Sequence, residues 1–231
     1  MVRPKQKEQH PDLENAIKEV ARSQMIENGS ASLSLRAIAR ALKITAPAIY
    51  NYFPSRDDLV TALIVDAYNS LGDALRLSQA SLQKASDGER VFASARAYRN
   101  WALAHPEEYN LIFGTPIPNY HAPMEITGPA AAGNMSVLIG VLHNAWQDGV
   151  LKTEGVLRST PNMIQAWINK FGYEGDPVVV QFAMASWSQI HGMLSLEING
   201  HFAAVPDDVD VDDFFEVEIR AMLTRMGLEG E

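Results

Sequence analysis

Between Ser34 and Phe53 the chain has room for two short helices and the turn that joins them, and this spacing constrains the fold more than any other feature. Leu35, Ile38, Ala39 and Leu42 fall at i, i+3, i+4 and i+7, the period of one buried helical face. Ser34 stands just before them, with a hydroxyl suited to the free amides of a helix start. Lys43-Ile44 break the pattern, Thr45 offers a second cap, and Ala46 to Tyr52 leave a segment barely two turns long in which Ile49 and Phe53 share a face. Upstream, Leu13, Ile17, Val20, Ala21 and Met25 mark a helix that Asn28-Gly29 ends. Downstream, Pro54-Ser55 stops the short helix. Ser55-Arg56-Asp57-Asp58 then opens a long one running through Leu59, Leu63 and Tyr68 toward Leu75, with acids in the first turn where the helix dipole favours them. Such a set predicts a three-helix unit with a helix-turn-helix inside it.

The remainder also reads as helix, near 88–105, 107–114, 130–149, 161–171, 177–199 and 211–227, with Gly114-Thr115-Pro116 and Gly172 to Pro177 as punctuation. Val178-Val179-Val180 is β-prone in isolation but opens a long run without an internal breaker before Gly192, and length favours helix. The predicted fold class is therefore all-α: a helix-turn-helix domain over residues 1–56 and a larger helical bundle over 57–231. The chain has 231 residues, 47% of them hydrophobic, enough to bury a real core. It contains no cysteine, which excludes disulfides, thiol catalysis and Cys-ligated zinc, and suits a reducing compartment. No apolar run follows the basic stretch Arg3-Pro4-Lys5-Gln6-Lys7, so a signal peptide is not expected there. The most apolar run, Met135 to Leu142, is far short of the roughly 20 residues that cross a bilayer. The expectation is a cytoplasmic protein with no membrane partner.

A net charge of −9 argues at first against nucleic acid, but its distribution reverses that. Residues 1–56 hold nine Lys/Arg against five Asp/Glu, a balance of +4, so residues 57–231 carry −13. A basic head on an acidic body fits a protein whose head alone meets DNA. In a helix-turn-helix the first helix braces on the backbone and the start of the second enters the major groove. Thr45, Ala46 and Pro47 stand there, the latter two suited to a thymine methyl, and Asn51 can hydrogen-bond a base or phosphate. Tyr50 and Tyr52 can give hydroxyls to phosphates. Ser34, Arg36, Lys43 and Arg56 complete the expected DNA-contacting set, and the N-terminus of the helix after Ser55 is expected to attract anions.

The stretch Ser34-Leu35-Arg36-Ala37-Ile38-Ala39-Arg40-Ala41-Leu42-Lys43-Ile44-Thr45-Ala46-Pro47-Ala48-Ile49-Tyr50-Asn51-Tyr52-Phe53-Pro54-Ser55-Arg56-Asp57-Asp58-Leu59 resembles the DNA-binding domain of the tetracycline-repressor (TetR) family. Trp187-Ser188-Gln189-Ile190-His191-Gly192 resembles the Trp-His-Gly motif of one subgroup of TetR C-terminal domains. Lys43 departs from the family pattern, which commonly has Gly in the turn. Pro47, within the first turn of the second helix, biases Ala46 toward an extended start. The resemblance implies a homodimeric regulator, a repressor that reads a palindromic double-stranded DNA operator and is released by a small-molecule effector. It assigns 177–199 and 211–227 to the dimer interface, with Phe182, Ile190, Leu194, Phe214, Ile219, Leu223 and Met226 as contacts.

In the C-terminal part, Tyr98, Trp101, Tyr109, Phe113, His143, Trp146, Trp187 and His191 supply aromatic and polar groups for a ligand pocket between helices. The same aromatics could simply form core. An enzyme reading, with His143 or His191 as general base, fails for want of a nucleophile, phosphate loop or metal cluster to partner it. A regulator answering to a protein partner is the other alternative. Glu197 and His201 stand four apart without a second metal-ligating pair, and Asp207 to Asp213 lack the turn Gly and terminal Glu of a calcium loop. No metal or cofactor is expected.

Overall fold

A computed structural model describes residues 12–29, 32–154, 156, 158, 161–202 and 210–228. The basic N-terminal stretch and Asp207 to Val209 lie outside them. The described residues form ten helices and no strand: α1 Leu13–Asn28, α2 Leu35–Ala41, α3 Ala46–Tyr50, α4 Arg56–Ala80, α5 Asp87–Ala104, α6 Pro106–Phe113, α7 Met124–Gln147, α8 Pro161–Phe171, α9 Pro177–Ile198 and α10 Val211–Met226. The all-α expectation holds. Val178, Val179 and Val180 are completely buried in the first turns of α9, where Asp176 accepts from the Val178 amide at 2.8 Å. Asp210 caps α10 through the amides of Asp212 and Asp213, both of which stand in its first turn.

Two helices run further than expected. α4 continues to Ala80, and α7 begins at Met124 with Pro129 inside it. Pro129 removes an amide whose partner would be the Glu125 carbonyl, and that residue is exposed, so water can satisfy what the helix leaves open.

The chain divides into two compact units, and the boundary falls inside α4 and inside α7. The first comprises the described residues up to Tyr68 together with His105–Gly128, so the body that holds the helix-turn-helix reaches beyond residue 56. Its core gathers Ile17, Ala21 and Met25 of α1, Ile38 of α2, Ile49 of α3, Phe53, and Leu59 and Leu63 of α4. Each fully buried aliphatic side chain there contributes about 1.5–3 kcal/mol. Lys18 and Arg22 of α1 both reach Asp66 of α4, at 3.2 and 3.0 Å, and Arg22 also meets Glu108 of α6 at 2.9 Å.

The second unit holds Asn69–Ala104 and the residues from Pro129 onward. Arg99 of α5 forms a bidentate pair with Glu197 of α9, at 2.7 and 2.9 Å, and also meets Asp212 of α10. Arg96 joins Glu216 at 3.2 Å. These charged pairs join α5 to α9 and α10, whose inward faces carry Ile190, Leu194, Ile219 and Leu223. They also occupy Glu197, one half of the Glu197/His201 pair. No helix among the described residues is long and apolar enough to cross a membrane.

Candidate nucleic-acid interface

Two hydrogen bonds close the α2–α3 turn. The Lys43 amide donates to the Arg40 carbonyl at 3.1 Å and the Ile44 amide to the Ala39 carbonyl at 3.0 Å. This pairing requires a left-handed residue between helix and exit, and Lys43 supplies it at φ 55. Ile44 tucks against the core at that point. The departure from glycine seen in the sequence is thus a strained position that the surrounding bonds hold in place.

Ser34 caps α2 through the Ala37 amide at 3.4 Å. Thr45 does not cap α3 with its side chain, contrary to expectation. Pro47 has no amide to offer, and the Ala48 amide is taken by the Thr45 carbonyl at 3.0 Å, so the exposed hydroxyl has no orphan donor to serve. Thr45 itself is extended (φ −81°, ψ 148°), whereas Ala46 is already helical, correcting the expected extended start at Ala46. Burial of Ala48 and Ile49 beneath the segment outweighs the bias that Pro47 imposes on its predecessor.

Of the predicted contact set, Ser34, Arg36, Lys43, Thr45, Pro47, Tyr50, Asn51 and Tyr52 are all exposed, and Ala46 and Arg56 are half-exposed. Tyr50 and Tyr52 each keep 45% of their surface, unusual for rings next to a core. At the α4 end, the Ser55 hydroxyl accepts from the Asp58 amide at 3.1 Å and donates to the Asp58 carboxylate at 2.7 Å. Arg56 lies 3.6 Å from Asp57. Ser55 thus caps α4, and two acids stand in its first turn beside Arg56.

The basic residues of the head differ in how they are engaged. Lys18 and Arg22 are neutralised by Asp66, Glu14, Glu19 and Glu108. Arg36, Arg40 and Lys43 have no ion pair among the described residues, and all three are exposed. Arg36 and Arg40 stand at i and i+4 on α2, away from the buried face of Leu35, Ile38 and Ala39, and Lys43 follows them on the turn. The sequence reading missed Arg40, although the same spacing that found the apolar face would have found this one.

The aromatic residues expected to line a pocket form separate pairings. Tyr109 and Phe113 belong to the first unit, where Phe113 packs edge-on to Tyr68 at 6.0 Å and against Tyr109 at 5.3 Å. In the second unit the Trp101 indole donates to Ser70 at 2.9 Å. His191 stacks on Trp187 at 5.0 Å and meets the Tyr98 hydroxyl at 3.2 Å, and burial holds its pKa below the ordinary histidine value. His143 meets the Tyr173 hydroxyl at 2.9 Å and packs beside Trp146. A cleft of about 450 Å³ lies elsewhere in this unit, lined by polar groups that include Gln83, Asp87, Arg90, Asn144, Gln147 and Asp148, and none of the eight aromatic and histidine candidates lines it.

Among the residues expected at a dimer face, Ile190, Leu194, Ile219, Leu223 and Met226 are buried within their own protomer. They belong to the core of the single chain, and side chains enclosed by their own helices leave little surface for a partner. Phe182 is half-exposed and Phe214 is 43% exposed. Val217 and Leu196, not anticipated from sequence, are also exposed.

Comparison with known proteins agrees with this arrangement. Residues 17–63 match the family model described as bacterial regulatory proteins, tetR family, and residues 91–222 match the tetracyclin repressor-like C-terminal domain. The HTH-type transcriptional regulator Mb1846 of Mycobacterium bovis is 36% identical over 208 residues, covering 87% of this chain and 86% of its own. The crystal structure of SCO4313, described as a regulatory protein, superposes with a TM-score of 0.75 at 32% identity, over 96% of this chain and 100% of that one. A more distant fold neighbour is a TetR variant from Acinetobacter baumannii AYE, solved in complex with minocycline, with a TM-score of 0.53 at 18% identity over 90% of this chain and 93% of its own. With both of its halves matched, and with a regulator more than one-third identical over most of its length, this chain belongs to the TetR family of DNA-binding transcriptional regulators.

Proposed function

We propose that the protein is a cytoplasmic, homodimeric repressor that holds a palindromic operator through its α2–α3 segment and releases it when a small, largely apolar molecule enters the C-terminal region. One observation carries the DNA-reading part: the exposed α3 segment, with Thr45 and Pro47 at its start and Tyr50, Asn51 and Tyr52 at its end, follows directly on the cations Arg36, Arg40 and Lys43, which have no ion pair among the described residues. These cations have the charge to meet phosphates, and the α3 residues have the hydroxyl, amide and apolar groups that read base edges and sugar-phosphate. In this reading the contacts are confined to residues 1–56, and residues 57–231 bind the effector and dimerise. Dimerisation would use the outward face of α9 and α10, where Leu196, Phe214 and Val217 remain uncovered in one protomer. The minocycline complex of the distant neighbour supports a small-molecule effector. An effector acts only through its different affinity for the DNA-bound and free conformations.

The test is a binding titration on DNA from the protein's own upstream region against scrambled DNA, across a salt series, with wild type and a Tyr52→Phe, Arg56→Ala double variant. Sequence-selective binding that falls with salt and weakens in the variant is the expected result. Equal binding to both DNAs at every salt concentration would overturn the operator reading.

A further inference from the structure

Asn134 of α7 stands out in the second unit. Its Nδ2 is sealed from solvent and has no hydrogen-bond partner among the described residues. Buried amides are nearly always satisfied, and one that is not requires an explanation. The opposite end of the same carboxamide lies over Gly72 of α4. A Cβ at Gly72 would stand 2.5 Å from the Asn134 Oδ1 and 3.0 Å from the Arg76 Nη1. Glycine in a helix interior weakens the helix, and here it makes room for a polar side chain that returns no hydrogen bond to the fold. Two destabilising choices therefore meet at one point with no compensation from within the protein.

We infer that Asn134 and Arg76 form the polar end of an effector site whose ligand carries a carboxylate on an apolar tail. This inference rests on the reading of the protein as effector-controlled. An orphan N–H needs an acceptor, which favours a carbonyl or carboxylate oxygen over an amine. Arg76 adds positive charge at the same place. Its Nη2 is held by Asp73 at 2.7 Å, and with its side chain 55% exposed the guanidinium remains open to a second anion. On α7 the residues that share the face of Asn134 are Ala130, Ala131 and Val137, each half-buried, and Leu138, buried. Ala130, Ala131 and Val137 thus keep part of their apolar surface uncovered beside the amide. The aromatic residues singled out in the sequence are not needed for this end of the ligand.

The experiment uses the full chain with sodium octanoate and octylamine hydrochloride as probes, titrated calorimetrically into wild type, Asn134→Leu and Arg76→Gln, with thermal unfolding of each variant measured without probe. Wild type should bind octanoate and not octylamine. Asn134→Leu should lose roughly tenfold or more in octanoate affinity while unfolding no earlier than wild type, because the donor it removes has no partner to lose. Arg76→Gln should weaken octanoate by a smaller factor and leave the unfolding temperature unchanged. Failure of wild type to bind octanoate, octylamine binding as tight as octanoate, Asn134→Leu affinity within about twofold of wild type, or earlier unfolding of that variant would each overturn the inference. Operator release by octanoate is read separately. Asn134-dependent binding that leaves the DNA complex intact would uphold the site and refute control by this effector.

Discussion

Replacing Lys43 by glycine should raise stability and lower DNA affinity at once. Lys43 holds φ 55, a conformation that costs an L-residue roughly 1–2 kcal/mol and glycine almost nothing. Glycine returns about 0.4–1 kcal/mol of that gain because its unfolded chain is freer. The expected net stabilisation is about 0.5–1 kcal/mol, or roughly 2 °C in Tm for a chain of this size. Both turn bonds are made by backbone amides, at 3.1 and 3.0 Å, so the substitution leaves them in place. The exposed ammonium has no ion pair among the described residues, and its loss should remove one phosphate contact and lower the slope of log affinity against log salt by about 0.9. Urea unfolding and salt-dependent binding separate the two effects. Lys43→Ala is the control: it removes the same charge but keeps the strain, so it should share the affinity loss without the stability gain. If Lys43→Gly is no more stable than Lys43→Ala, the turn does not store strain at this residue. If the salt slope is unchanged, Lys43 touches no phosphate.

Neutralising the other two cations, Arg36→Gln with Arg40→Gln, should weaken binding to specific and scrambled DNA alike and reduce the salt slope by about 2, with circular dichroism unchanged. Leu194→Ala, at a fully buried position, should cost about 2–5 kcal/mol in denaturant unfolding. Phe214→Ala with Val217→Ala should leave secondary structure intact while shifting sedimentation toward the monomer, and an unchanged sedimentation profile would remove the outward face of α10 from the interface. Burial lowers the His191 pKa, so on acidification the unfolded chain takes up this proton first. Stability should therefore fall as pH drops below about 6.5 and level off below the folded-state pKa. A His191→Gln variant should show a shallower loss over that window.

Local pattern made the head readable. The i, i+3, i+4, i+7 rows, the Ser34 cap and the apolar pair Ile49 and Phe53 each fix a local geometry, and together they admit one arrangement of α1, α2 and α3. The second unit was readable as helices but not as surfaces. Periodicity shows that Leu194 and Ile190 share a face of α9; it does not show whether that face turns toward α5 or toward another chain, because both destinations select for apolar residues. The paired charges Arg99, Glu197, Asp212, Arg96 and Glu216 decide it, since they draw α5, α9 and α10 together over those faces. Their separations in sequence exceed ninety residues, beyond the reach of any local rule. The start of α7 was missed for the opposite reason: Pro129 is a strong local breaker, and the exposed position of Glu125, one turn before it, is a tertiary fact.

The treatment of charge in the head bears on how it can act. A basic segment does not present its charge automatically, because acids elsewhere in the fold can neutralise it. Lys18 and Arg22 are absorbed by Asp66 and Glu108, which join α1 to α4 and α6. Their positive charge works inside the first unit and is little available to a phosphate. Arg36, Arg40 and Lys43 lie on the side of α2 and the turn that meets no acid among the described residues. The count of nine basic residues before position 57 thus overstates the charge that DNA can meet. In the proposed reading the three cations that meet no acid among the described residues, next to the exposed α3 segment, are the ones that face phosphates, and each should contribute its share of the salt dependence to be measured.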